Sequence, residues 1–252
     1  MRRDPAQYMF IPSPESGPTD SMRGEEPGVA AMALRRKTDK GIAAAGAAPE
    51  AASPSPHARL LPAVRAGGGL PLIDVLRLRH STRGYDSRGL PIGLLSELLW
   101  AAFGINRPET GDRTAPYWRH VMVIDIYVAM ADGVWIYSPG QHALLPHLAT
   151  DIRAATGLQD FVGEAPVELI YVAHGERMHD LVAEERRLYA SVDAAFIGQN
   201  VYLFCASEGL GTVFRGAFDH RKLAQAMQLG DSQFITFVQT VGYPETSTDP
   251  TG

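Results

Sequence analysis

One cysteine in 252 residues, Cys205, excludes an intramolecular disulfide framework and any zinc site built from several thiolates. No apolar run reaches the ~18–20 residues that a membrane-spanning helix requires. Basic charge is not in excess either: 23 Lys and Arg stand against 28 Asp and Glu, a formal net charge of −5. General affinity for nucleic acid or for an anionic membrane is therefore not expected. Large apolar groups are scarce at the start of the chain. Only two of 21 aromatics, Tyr8 and Phe10, fall in residues 1–69, a stretch that holds half of the 18 prolines.

So few large apolar groups do not offset the entropy of ordering such a segment, and residues 1–69 are expected to be mostly disordered. Runs such as Ala52-Ser-Pro-Ser-Pro and Gly67-Gly-Gly have linker composition. Arg35-Arg36, followed by the small-residue run 41–48, gives a second reading, a degenerate twin-arginine export signal. Lys40 interrupts the approach to its apolar stretch. The expectation is a cytoplasmic protein, with export as the alternative. Residues 246–252 are expected to form a short disordered tail, which leaves 70–245 as one folded domain.

Periodicity supplies the elements of that domain. Apolar positions within 71–79 fit a short helix. Pro91 opens a second helix, with Leu94, Leu95, Leu98, Leu99 and Ala102 on one face and Gly104 at its end. Residues 121–128 and 134–137 are β-rich and separated by Ala131-Asp-Gly, which predicts a hairpin. Residues 143–156 are read as a helix ending at Gly157, and 167–172 as a buried strand. The longest helical stretch is 178–208, and its second half, 194–205, is apolar around nearly the whole circumference. Such a helix is buried in a core or in a subunit interface. A strand over 212–214, a helix capped by Asp219 and a strand over 234–241 complete an α/β or α+β pattern.

Several familiar chemistries are missing. His142/His147 and His174/His179 are five apart, which puts each pair on different faces of a helix, and no H-E-x-x-H occurs. There is no G-x-S-x-G elbow and no Walker loop. Gly209-Leu-Gly211 followed by Gly216 has the wrong spacing for a dinucleotide fingerprint and reads as a helix C-cap. What stands out is residues 79–86, Arg-His-Ser-Thr-Arg-Gly-Tyr-Asp. Arg79 and Arg83 flank Ser81 and can offer forked donors to a phosphate or an anionic ring oxygen. On composition alone the same residues make a solvated basic turn.

This block resembles the signature near the start of the FMN-dependent nitroreductase family, and further stretches match in the same order. Leu98-Leu-Trp-Ala-Ala-Phe-Gly-Ile-Asn-Arg107 and Arg113-Thr-Ala-Pro116 are similar to the subgroup that includes peptide azoline oxidases. Asp125-Ile-Tyr-Val-Ala129, Tyr137-Ser-Pro with His142, Asp193-Ala-Ala-Phe-Ile-Gly-Gln-Asn200, Glu208-Gly-Leu-Gly211 and Val241-Gly-Tyr-Pro244 continue it. The resemblance implies an α+β three-layer sandwich, a mixed and mostly antiparallel sheet flanked by helices. It also implies a homodimer with FMN at the subunit interface. Arg79, His80 and Ser81 would line the phosphate and ribityl side, and Arg83 would reach the pyrimidine edge of the ring. Phe214-Arg-Gly-Ala217 matches the turn whose backbone N–H approaches flavin N5, which places Arg215, Gly216 and Ala217 among the expected cofactor contacts, and Pro116 joins them from the 113–116 stretch. Gly216 would there leave room for the ring.

Two departures stand against that pattern. After Pro116 the family usually continues with small and amide residues that bond the flavin, in many members across the dimer interface. Here the chain reads Tyr117-Trp-Arg-His-Val-Met-Val123. The two aromatics either stack near the flavin, occupy part of its site, or sit on a loop that moves outward. The tail beyond the last strand lacks the basic residues that help hold the phosphate, which would then depend on Arg79 and its neighbours, with Arg215 or Arg221 as candidate substitutes. The implied activity is ping-pong transfer of hydride or electrons through flavin N5. The donor would be NAD(P)H or an organic compound, and the acceptor a nitroaromatic, a quinone or another small molecule. The alternative is a flavin-deficient protein of the same fold that serves as a binding or regulatory partner.

Overall fold

The computed structural model describes residues 57–245. Arg35-Arg36 and the tail from residue 246 lie outside them. The folded part begins well before residue 70, contrary to the composition argument. Arg59–Leu60 (β1) pairs antiparallel with Ala143–Leu148 (β7), and Leu61 is buried in the main core. Arg65 then bridges Glu97 and Glu208, and the Leu70 N–H donates to Ser207 Oγ. A segment poor in aromatics still folds when one leucine and one arginine find prepared partners.

Leu72–Leu78 (α1) and Ile92–Phe103 (α2) are the two short helices read from the sequence, and Gly104 ends the second. Tyr85–Asp86 (β2) lies between them. Ile105–Arg107 (β3) and Asp112–Arg113 (β4) form a separate small ribbon. The expected hairpin is Ile124–Met130 (β5) with Gly133–Ser138 (β6), starting three residues later than the apolar run suggested.

The predicted helix over 143–156 is absent. Its first half is β7, paired with β6, and only residues 153–155 make a single 3-10 turn. Pro146 explains the outcome, since it lacks the N–H and clashes within a helix interior. β1 reaches only Ala143 and Leu144, so Pro146 stands where β7 is an open edge and no ladder bond is lost.

Val167–His174 (β8), Ala183–Glu208 (α3), Gly211–Arg215 (β9), His220–Ala226 (α4) and Gln233–Pro244 (β10) complete the chain. Asp219 caps α4 by accepting from the Lys222 N–H at 3.0 Å. Gly209 ends α3 at φ 69°, the left-handed conformation of a helix C-cap, which settles the Gly-Leu-Gly motif. The eight-stranded sheet runs β1-β7-β6-β5-β8-β10-β2, with β9 also on β10. All strand pairings among the described residues are antiparallel.

Strand alternation sends side chains to two cores. Ile124, Ile126 and Val128 pack with Leu98, Leu99 and Ile197 of α2 and α3. Tyr127 and Ala129 pack with Leu223 and Met227 on the opposite face. The result is the expected α+β sandwich of helices, sheet and helix. α3 is not buried all round, however. Ala190, Ala194, Ile197, Val201 and Cys205 face the core, whereas Leu188, Val192 and Phe196 are exposed.

Candidate functional site

α1 delivers the arginine-rich block. Its last residues lead to Arg79, whose guanidinium lies 5.2 Å from the centre of the Tyr202 ring on α3. Ser81 Oγ is 2.8 Å from the Tyr202 hydroxyl, and that hydroxyl accepts the Phe214 N–H of β9 at 3.0 Å. The Thr82 N–H donates to the Thr212 carbonyl at 3.0 Å. Residues 79–82 and the end of β9 are thereby held side by side, and Tyr202 joins them. A cavity of about 260 Å³ opens beneath, lined by His80, Thr82, Tyr202, Cys205 and Thr212 among others.

The donors around this cavity are largely uncommitted. Arg79 and Arg83 take part in none of the ion pairs among the described residues. Arg83 and Ser81 are exposed. His80 turns Nδ1 back onto the Leu78 carbonyl at 2.8 Å and keeps its other nitrogen outward. Cys205 is fully buried, and burial pushes its thiol up, so it is not a nucleophile.

The Arg215 side chain is not available to substitute for the missing basic tail. Its guanidinium is buried and spent on Glu168, Thr240 Oγ1 and the Thr156 carbonyl. Sequence alternation accounts for this: within β9 Arg215 points inward, between a buried carboxylate and the sheet. Gly216 and Ala217, just beyond, are exposed. A side-chain carbon on Gly216 would stand 3.5 Å from the Phe237 ring, an ordinary contact, so nothing within the chain itself demands glycine there. Phe214 is wedged between Phe237, 4.5 Å away ring to ring, and Gly198, where any side chain would collide with it.

Pro116 is not brought to this cluster. It is exposed, and the residues after it are anchored elsewhere. Tyr117 packs edge-on against Phe103 and donates its hydroxyl to Asp112 at 2.7 Å. Burial and that bond push the phenol up to about 12, while the Tyr117 hydroxyl holds the Asp112 carboxyl well below the carboxylate range. The Trp118 ring lies against Tyr189, and the Trp118 backbone N–H donates to both oxygens of Asp193 at 3.1 and 3.0 Å. Asp193 and Tyr202 are nine residues apart on α3, about 14 Å at the helical rise. Neither aromatic enters the cavity beside Tyr202.

Among the described residues no group of three His, Cys, Asp or Glu is arranged to hold a metal ion. The histidines have local partners: His142 bonds Ser96 and Tyr137, His147 the Met227 carbonyl, and His174 lies 2.8 Å from Asp125. No helix among the described residues is long and apolar enough to cross a membrane. Tyr202 is the member of the site that sequence reasoning missed. A tyrosine within a mostly apolar helix carries no sign of a site in the sequence itself.

The chain belongs to the nitroreductase family, a family of oxidoreductases, whose sequence pattern matches residues 76–243. It is similar to a nitroreductase-family protein of Methanocaldococcus jannaschii, 33% identical over 168 residues, which are 63% of this chain and 84% of that one. A solved nitroreductase-family structure from Ralstonia eutropha JMP134 is 42% identical, covering 75% of this chain and 90% of that chain with a TM-score of 0.72. The fold is also similar to NADPH:FMN oxidoreductase from Vibrio harveyi complexed with NAD+. There the identity is 16%, the coverage 72% of each chain and the TM-score 0.52.

Proposed function

We propose that this chain is an FMN-dependent oxidoreductase that works as a homodimer and reduces or oxidises small organic molecules, with NAD(P)H as the ready electron donor. The observation that carries the reading is Arg79, in no ion pair and held over the Tyr202 ring beside a cavity, together with the exposed Arg83, also in no ion pair, and an exposed Gly216–Ala217 turn. Two free arginines, a serine hydroxyl and outward backbone N–H groups form the donor set that a phosphorylated, electron-accepting ring requires. The Vibrio harveyi relative, by its name, acts on NADPH and FMN, which supports the same choice of cofactor.

When bound, the flavin supplies hydride chemistry at N5, so the protein needs no catalytic triad or carboxylate pair. The protein's own residues do the rest. Arg79 and Ser81 would hold the phosphate and ribityl end. Arg83 would place positive charge where the reduced ring carries negative charge. The Gly216–Ala217 turn would offer backbone N–H groups, and the half-buried Phe214 and Phe237 rings keep water from that side. Arg215 acts only through the turn it anchors.

The flavin-deficient alternative rested on Tyr117 and Trp118. Their rings pack on Phe103 and Tyr189 of the same chain, which supports the flavin-binding reading instead. An absorbance scan of the purified protein tests it. Bands near ~370 and ~450 nm, retained on gel filtration or restored by added FMN, are expected of bound flavin. A colourless protein that also refuses added FMN overturns the proposal.

A further inference from the structure

The Tyr202 hydroxyl has more to do than fill space. A phenol carries one hydrogen and accepts at its oxygen. The Phe214 N–H can only donate, so at 3.0 Å the phenol oxygen is its acceptor. The phenol's own hydrogen then remains free for Ser81 Oγ, 2.8 Å away. With Ser81 accepting from Tyr202, the serine hydrogen is left to point outward, where the residue is exposed. The three groups line up as a chain of donors in one sense, from the β9 backbone through the phenol to the serine. Each bond in such a chain polarises the next.

Arg79 reinforces the direction. Its guanidinium, 5.2 Å from the ring centre, draws electron density from the phenol and makes the hydroxyl a better donor. Ser81 is exposed two residues after Arg79, and both meet Tyr202, so the two donors sit on one short segment around the same phenol.

We propose that Tyr202 is a positioning residue whose hydroxyl relays the Phe214 N–H to Ser81 and so sets the Ser81 hydroxyl as a donor to the phosphate of FMN. The inference rests on the FMN reading above. It separates phosphate recognition from ring recognition. A purely structural tyrosine would stabilise the site for any flavin alike, whereas the relay matters only for the ligand that carries the anion.

The test is a titration of the full-length protein with FMN and with riboflavin, which has the same ring and ribityl chain but no phosphate. In Tyr202→Phe the ring and its contact with Arg79 remain, and only the hydroxyl is lost. We expect FMN affinity to fall by about tenfold or more, the scale of one hydrogen bond to a charged group, while riboflavin affinity stays within about twofold. Ser81→Ala, which breaks the outer link, should reproduce that loss. The double variant should be no worse than either single one, because both remove the same chain. Equal weakening of FMN and riboflavin in Tyr202→Phe, or wild-type affinity for both, overturns the relay. Independent, additive losses in the double variant overturn it as well. Should Tyr202→Phe not fold, Ser81→Ala decides: an unchanged ratio of FMN to riboflavin affinity ends the proposal. A wild-type protein that binds neither flavin ends the FMN reading and the relay together, whereas normal FMN binding with no discrimination ends the relay alone.

Discussion

Arg215 donates to Glu168 at 2.7 Å with both side chains inside the protein, and Thr240 Oγ1 donates to the second carboxylate oxygen at 2.7 Å. The pair ties β9 to β8 across β10. Burial pushes the Glu168 carboxyl above its ordinary range, and Arg215 and Thr240 oppose that rise. The first prediction follows from what one partner becomes without the other. Arg215→Met leaves a buried carboxylate unpaired and should destabilise the fold by about 3–5 kcal/mol. Adding Glu168→Leu should recover most of that loss, since an apolar pair of similar volume replaces a buried ion pair at little cost. Urea midpoints of the three proteins check this. A single variant within about 0.5 kcal/mol of wild type would be the scale of a surface substitution and would contradict the burial argument.

Asp193 gives a prediction in pH. Burial pushes its carboxyl up to about 6 from 3.8, against the pull of the Trp118 N–H. Because the raised pKa belongs to the folded state, that state holds more protons than the unfolded chain between the two values. Stability is therefore greatest below about 4 on this account, declines as pH rises through 6, and levels above it. Asp193→Asn keeps an oxygen for the Trp118 N–H and removes the charge. Its melting temperature should gain on wild type steadily between those pH values. Parallel curves for the two proteins would refute the assignment.

Truncation tests where the fold begins. Removing residues 1–65 should cost more stability than removing residues 1–56. The difference carries Leu61, about 1.5–3 kcal/mol for a buried leucine, and the Arg65 bridges, which are partly exposed and worth little singly. Thermal melts of the two truncations should differ by several degrees. Coincident melts would mean that the β1 strap does not hold.

The two free arginines should fail in different ways. Arg79→Ala should weaken FMN binding by about 1.5–3 kcal/mol, the scale of a hydrogen bond to a charged group. Arg83→Ala should lower the flavin potential and slow reduction by NAD(P)H more than it weakens binding of oxidised FMN. Titration and potentiometry of both variants separate an affinity defect from a redox defect. Wild-type values in both would place the cofactor elsewhere.

The exposed face of α3 predicts assembly. Leu188, Val192 and Phe196 form an apolar stripe at helical spacing, with Leu72, Ile73 and Leu76 exposed on α1. Large apolar groups exposed along one helix face mark an interaction site. Light scattering should find a dimer, and Phe196→Glu should shift it toward monomer with loss of retained flavin. A wild-type monomer at micromolar concentration would contradict this.

Most of the fold was legible because period and punctuation agreed. Pro91 and Gly104 bracket α2, Asp219 caps α4, and β8 is apolar apart from the buried Glu168 and the terminal His174, because both of its faces are covered. Residues 143–156 misled because Ala, Leu and His have helical propensity that pairing with β6 overrides, and Pro146 was the signal to weigh more heavily. Arg79 and Ser81 were legible through resemblance alone. The inward direction of the Arg215 side chain was not legible from the turn beside it, because only the strand register shows which way it points. Tyr202 could not be found from its neighbours in sequence. Its partners, Ser81 and Phe214, lie 121 and 12 residues away.

β10 is the last strand of the described chain, yet it is the spine of the sheet, joined to β8 along one edge and to β9 and β2 along the other. A ribosome must finish nearly the entire domain before that place can be filled. Until then β8 keeps an open edge, and the apolar side of α3 has no sheet to complete its cover. Such unpaired edges are sites of chain-to-chain pairing. Nascent copies of this protein are expected to need chaperones or dilution during that interval. Yields from fast expression should accordingly rise when synthesis is slowed by cooling.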